Sequence, residues 1–185
     1  MAHWTFITMA SELRVDRIIP TTGVPTTGGG GIIQTVFGEK SGEVTITTTT
    51  FQDTGVTATI TPKFNTSKIL VIIDQPYHMS RSANTCGGGF KVLRGSTEIA
   101  TPNGTGSSGG ENPYSCYFSF AGSTSCSMIE RWSWMKLDEP ASTSSLLYKV
   151  QMACATSANS GRIRAQYGGT SGSQKGHITL MEISA

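Results

Sequence analysis

From residue 32 onward, the chain alternates short segments rich in Val, Ile and Thr with turns rich in Gly, Ser, Asn and Pro. β-Branched residues favour strands, whereas Gly, Pro and Asn favour the turns between them. A turn recurs roughly every 8–12 residues, which is typical of antiparallel sandwiches and barrels. The sequence therefore predicts an all-β fold, an antiparallel β-sandwich with a jelly-roll-like head.

We predict a strand in each segment that fits this pattern: residues 32–37, 43–51, 55–60, 68–75, 89–94, 97–100, 114–120, 126–137, 145–155, 162–167 and 176–183. Residues 69–73 are apolar without interruption. We therefore expect segment 68–75 to be the central strand, buried on both faces. Segment 43–51 alternates Val44 and Ile46 with threonines, which predicts a half-exposed strand.

The first residues of the chain do not follow the strand pattern. They are semi-apolar, and Pro20 and Pro25 stop any helix there. The sequence predicts an extended N-terminal anchoring arm (1–27), a glycine hinge (28–31) and a β-sandwich head domain (32–185). We expect the arm to bury its apolar residues in a partner, or else along its own domain. These residues are Trp4, Phe6, Ile7, Leu13 and Ile18.

Charge is scarce in this chain. Charged residues make up 14% of it, against about 25% in typical globular domains. The net charge is +2, and Lys and Arg form no run, so we expect no nucleic-acid partner. No segment approaches the roughly 20 apolar residues that span a membrane, so we expect no membrane insertion.

The four cysteines, Cys86, Cys116, Cys126 and Cys154, show neither a CxxC motif nor zinc spacing. The three histidines are scattered, so we expect no metal and no cofactor. The first residues lack the basic start and apolar core of a signal peptide. This favours synthesis in a reducing cytoplasm and free, mostly buried thiols. Two disulfides, in any of three pairings, are the alternative.

No pattern of catalytic residues is visible. The glycine run precedes a β-type segment rather than the helix that a phosphate-binding loop requires. No serine lies in a GxSxG motif. Asp138 and Glu139 precede Pro140 in a predicted turn, where neighbouring side chains point apart into solvent rather than flank a sugar. We therefore expect a protein that is not an enzyme.

Two groups of side chains are candidates for contact with a receptor or glycan. Tyr77, His78 and Arg81 occupy a loop or strand edge, where ordinary packing is the alternative. Trp132 and Trp134 lie two residues apart and so share one face of a strand. They could form a glycan platform, or they could fill the core or a subunit interface.

The longest irregular segment runs from Asn103 to Asn112, and residues 168–175 are similar in composition. Polar loops on a rigid scaffold are frequent sites of recognition. These two loops are therefore either recognition loops, with Asn103 and Asn112 as contact candidates, or permissive insertions.

Three stretches of sequence resemble short tail-fibre-like virion proteins of bacteriophages, notably phages of cyanobacteria and other marine bacteria. They are SELRVDRIIPTTGVPTTGGGGIIQ with DTGVTATITPKFNTSKILVIID, then LDEPASTSSLLYKVQM, then HITLMEIS. The resemblance covers residues 11–80 and 137–184. It implies a virion structural protein, a homotrimer of jelly-roll-like heads attached by their arms to tail or baseplate proteins and made in the host bacterial cytoplasm.

In such a protein, the distal loops would contact a host cell-surface glycan. The alternative functions are a capsid decoration or knob protein with the same head, and a lectin-like glycan-binding module unrelated to phages. Disulfides among the four cysteines would favour the lectin-like module.

Overall fold

The structure is a computed structural model that describes residues 31–100, 116–168 and 174–184. Residues 1–27 and the first three glycines of the predicted hinge lie outside the described residues, as do Asn103 and Asn112. The predictions for the arm and for these two asparagines therefore stay predictions.

Eleven strands form in the described residues: β1 (Ile32–Lys40), β2 (Val44–Ile46), β3 (Gln52–Ile60), β4 (Lys68–Arg81), β5 (Thr85–Arg94), β6 (Thr97–Ala100), β7 (Cys116–Ser119), β8 (Cys126–Asp138), β9 (Leu146–Cys154), β10 (Arg162–Ala165) and β11 (Gly176–Ile183). The only helical element among the described residues is a 3₁₀ turn, Ala158–Ser160. Each predicted segment contains or overlaps one strand.

The strands form two sheets in which every pair is antiparallel. Sheet A contains β1, β11, β4, β10 and β2 in this order, with β8 along the other edge of β4. Sheet B contains β3, β9, β5 and β6, with β7 also paired to β5. The prediction of an all-β antiparallel sandwich is confirmed. The jelly-roll description stays a prediction.

Strand β4 organises sheet A because it pairs along both edges. One edge pairs with β8 over residues 69–81, and the other pairs with β11 over residues 68–74 and then with β10 over residues 77–80. A proline within a central strand is unusual because it lacks the N–H of the ladder. Pro76 lies where that edge of β4 changes partner, so the missing donor falls at an interruption of the ladder.

Two predictions about strands need correction. Segment 68–75 is central but not buried on both faces. Ile69, Val71 and Ile73 are buried in the core, whereas Leu70 and Ile72 on the opposite face are only half-buried. The predicted strand 43–51 is also too long. It ends at Ile46, and residues 48–50 form bends, with the Thr48 carbonyl accepting a hydrogen bond from the Cys154 N–H of β9.

The core lies between the sheets as two adjoining clusters of buried side chains. One is centred on Ile69, Val71 and Tyr148, and the other on Met79, Phe90 and Met152. At one side the sheets approach so closely that a Cβ on Gly38 of β1 would lie 2.0 Å from the Thr57 carbonyl oxygen of β3. A side chain at position 38 would therefore force the two sheets apart.

A polar network crosses the core beside the first cluster. Asp138 at the end of β8 accepts hydrogen bonds from Arg94 Nη1 at 2.6 Å and from the Tyr148 hydroxyl at 2.7 Å. The prediction that Asp138 points into solvent is therefore wrong, since its carboxylate links sheet A to sheet B. Glu139 is exposed and pairs with Lys68.

The prediction of four free thiols is wrong for two of them. Cys86 of β5 and Cys126 of β8 form a disulfide with 5.7 Å between their Cα atoms. Cys116 and Cys154 are free. Burial raises the pKa of each of these two thiols to about 11, so neither is ionised at neutral pH.

Candidate functional site

The outer face of sheet A carries two adjacent rows of apolar side chains that cross four strands. The registers place Met181 opposite Leu70 and Leu70 opposite Leu137 in the first row. In the second row Phe37 lies opposite Thr179, Thr179 opposite Ile72, and Ile72 opposite Met135. We call these apolar residues the apolar face: Phe37, Leu70, Ile72, Met135, Leu137 and Met181.

Strand alternation explains why this face exists. In β4 and β8 every second side chain points into the sandwich, which leaves the intervening residues on the outside. Polar residues usually occupy such positions when a sheet faces water. Here Phe37 is 60% exposed, Met135 68% and Leu137 44%. Exposed apolar patches of this kind are typical of interaction surfaces.

A band of charged and polar side chains borders the apolar face. Arg131 binds both carboxylate oxygens of Asp74, with Nε to Oδ1 at 2.9 Å. On the neighbouring strands, Glu39 pairs with Lys175 at 2.6 Å and lies 3.3 Å from the Nε2 atom of His177. The face therefore has the apolar centre and polar rim of a typical protein interface.

The structure separates the predicted contact residues Tyr77 and His78 onto opposite faces of β4. Tyr77 points into the core, where its ring meets Phe90 edge-on at 4.9 Å. His78 points outward but is buried beneath Tyr167, whose ring stacks on it at 4.3 Å. Burial, together with the charge of Arg164, lowers the pKa of His78. The imidazole is therefore neutral at physiological pH.

The other predicted contact residues lie elsewhere. Arg81, at the end of β4, donates hydrogen bonds to the Ala158 carbonyl and the Thr85 hydroxyl. Trp132 and Trp134 face the interior. Trp132 stacks on Phe90 with 4.6 Å between ring centroids, and both indoles pack against the core while remaining partly exposed. Packing therefore occupies most of the indole surface that a glycan platform would need.

A second surface, on the outside of sheet B, was missed by the sequence analysis. Lys149 and Gln151 of β9 both donate hydrogen bonds to the carboxylate of Asp53, and Lys91 lies 4.6 Å above the Phe51 ring. These residues border a groove of about 380 Å³ that is lined by residues 44–46, residues 51–53 and Gln151. The one sequence signal for this surface is the alternation within β9, which puts Lys149 and Gln151 on the same face of the strand. No sequence motif indicates that Asp53 lies beside them.

The fold and its two outer surfaces define the chain as an antiparallel β-sandwich with one apolar and one polar outer face. No family model matches the chain, and no curated protein matches it. Within the described residues, no group of three His, Cys, Asp or Glu side chains is arranged to hold a metal ion. In the same ranges, no helix is long and apolar enough to cross a membrane.

Proposed function

We propose that this chain is a non-enzymatic structural protein of a bacteriophage virion, a short tail fibre or baseplate-associated fibre. The observation that carries the proposal is the apolar face of sheet A. A solvated monomer gains nothing from an apolar outer face that extends over four adjacent strands. A subunit of an assembly buries such a face against its neighbours. The resemblance of residues 11–80 and 137–184 to phage fibre proteins supports the virion setting.

In the proposed homotrimer, the apolar face makes the contact between subunits. A three-fold ring closes only through a heterologous contact, in which a face of one copy meets a different surface of the next. Strand β8 offers that second surface, because no described strand pairs with its outer edge. The arm would then remain available to anchor the trimer to tail or baseplate proteins.

Light scattering after size exclusion tests this proposal on the full chain. We expect a mass three times the 19.6 kDa of one chain. Phe37→Glu and Met135→Glu would each place a charge in the buried contact, which has a high desolvation cost. Each should weaken association by about 100-fold or more, which corresponds to roughly 3 kcal/mol. Both variants should therefore elute as folded monomers.

Leu147→Glu is the matched control, because Leu147 is 41% exposed on the outer face of sheet B. This variant should keep the mass of the parent. A parent chain that is monomeric at every concentration would contradict the proposal. So would a Leu147→Glu variant that dissociates as readily as Phe37→Glu.

The disulfide between Cys86 and Cys126 favours a second candidate function, a secreted lectin-like module. Stable disulfides form mainly in oxidising compartments. Intact mass before and after reduction of protein isolated from its native source separates the two candidates. A gain of two hydrogens on reduction supports the secreted module, whereas an unchanged mass supports assembly in a reducing cytoplasm.

A further inference from the structure

The groove beside sheet B lies between β2 of sheet A and the beginning of β3. Its volume of about 380 Å³ falls within the roughly 300–1,000 Å³ that small-molecule sites occupy. None of its lining residues belongs to the apolar face. A ligand could therefore occupy the groove while the apolar face is buried in an assembly.

The carboxylate of Asp53 in the groove is held in position and can still accept hydrogen bonds from a ligand. The carboxylate of Asp53 accepts hydrogen bonds from Gln151 Nε2 at 2.6 Å and from Lys149 Nζ at 3.0 Å. A carboxylate has about four acceptor sites, so roughly two remain for a ligand. Partial burial opposes ionisation of Asp53, but these two hydrogen bonds outweigh it and lower its pKa. Gln52 beside it is exposed and offers both amide donors and an acceptor.

The charges around the groove cancel in pairs. Lys149 is paired with Asp53, and Lys91, above the Phe51 ring, is paired with Glu98. Phosphates and nucleic acids are recognised by excess positive charge, which this surface does not offer. The groove therefore suits an uncharged ligand.

We propose that this groove binds a neutral saccharide. A pyranose ring presents an apolar face of C–H groups and a rim of hydroxyls that both donate and accept hydrogen bonds. Phe51 and Val44 would contact the apolar face, and Asp53, Gln52 and the Thr45 hydroxyl would bind the rim. The inference deepens the proposed function and rests on it, since a host-surface glycan is the saccharide that a fibre meets.

Binding of defined polysaccharides to the full chain tests the inference. Mannan, galactan and dextran serve as neutral probes, and polygalacturonate serves as the acidic probe. We expect at least one neutral probe to bind, with an affinity that salt does not change. Asp53→Asn should weaken that binding by about tenfold, because a hydrogen bond to a charged acceptor is lost. Gln52→Ala should weaken it by about threefold.

Thr59→Ala is the matched control, because Thr59 is exposed on the same strand outside the groove. Its affinity should equal that of the parent. Failure of every neutral probe to bind, or preference for polygalacturonate with strong salt dependence, would overturn the inference. Unchanged affinity in Asp53→Asn and Gln52→Ala would do the same. Gln52 is exposed, so its variant separates lost binding from lost folding.

The two proposals fail independently in these experiments. Phe37→Glu changes the apolar face and leaves the groove intact, so each groove should keep the parent's affinity per site, and only the avidity of the trimer should be lost. A trimer that binds no saccharide would overturn the groove inference alone. A monomer that binds saccharide through Asp53 and Gln52 would overturn the trimer alone.

Discussion

The two outer faces of the sandwich have the same backbone geometry and opposite chemistry. On sheet A, Phe37, Met135 and Leu137 expose apolar surface to water. On sheet B, the corresponding outward positions of β3 and β9 carry Thr57, Thr59 and Lys149, and Leu147 is the apolar residue among them. Only the inner faces form the core of the sandwich, so the chemistry of the two outer faces can differ.

The two sheets are joined by polar and covalent links as well as by the core. In a subunit with sheet A buried against a neighbour and sheet B exposed, a mechanical force on sheet B would reach the neighbour through the contacts between the two sheets. Asp138 with Arg94 and Tyr148 joins the sheets beside one core cluster. The disulfide of Cys86 joins them beside the other. Both links lie between the faces that we assign to different partners.

The largest expected effect comes from cutting the covalent link between the two sheets. The disulfide closes a loop of 40 residues, and chain-entropy arguments assign such a loop a stabilisation of about 4 kcal/mol. Replacing Cys86 and Cys126 together by alanine should lower the free energy of unfolding by about this amount. Urea denaturation of oxidised protein measures the loss.

Reduction of the parent chain provides the control for that double variant. The reduced parent should match the variant in stability, because both lack only the cross-link. A double variant as stable as the oxidised parent would mean that packing alone holds the two sheets together.

A smaller effect is expected on the pH dependence of stability, which should depend more on Glu182 of sheet A than on Asp53 of sheet B. Glu182 in sheet A is fully buried and accepts hydrogen bonds from Gln34 Nε2 at 2.6 Å and from the Lys63 N–H at 2.7 Å. Burial alone would raise the pKa of Glu182, but these hydrogen bonds outweigh it and lower the pKa below 4.5. Its stabilising contribution is therefore complete above about pH 4.5 and is lost as the pH falls through the lowered value.

In Glu182→Gln, the free energy of unfolding should therefore fall less steeply as the pH is lowered. Asp53→Asn in sheet B is the comparison, because the pKa of Asp53 is also lowered but its side chain is exposed. Thermal unfolding at about pH 7 and about pH 3 should show the larger change in acid sensitivity for Glu182→Gln. Equal changes in the two variants would show that burial of Glu182 has no energetic consequence.

The smallest effect is expected on the polar face itself. The ion pair between Lys149 and Asp53 lies at the surface, with the Asp53 side chain 51% exposed, and surface pairs contribute only about 0.2–1 kcal/mol. Lys149→Met should therefore change the free energy of unfolding by about 0.5 kcal/mol or less. A loss several times larger in urea denaturation would mean that the outer face of sheet B supports the fold.

The positions of the strands follow from the sequence, because β-branched runs and Gly-rich turns are local signals. Which side of a strand faces the core depends on partners distant in sequence. The run 69–73 therefore predicts burial on both sides, whereas Leu70 and Ile72 belong to the apolar face. The same cause separates Tyr77 from His78, since adjacent residues in a strand point to opposite faces.

The candidate sites were harder to predict than the fold. The apolar face combines one or two residues from each of β1, β4, β8 and β11, so no short motif contains more than two of them. The disulfide joins Cys86 to Cys126 through a register that spacing alone cannot specify. The groove needs Gln151 beside Asp53, which lie 98 positions apart in the chain.

The disulfide has a consequence for the architecture of the polypeptide. Because Cys86 and Cys126 are cross-linked, the backbone between them can be opened once without separating the protein into two molecules. New termini or an inserted domain between residues 101 and 115 would leave both core clusters covalently joined. A single cut in the backbone between these cysteines thus leaves β5 and β8 in one covalently joined molecule.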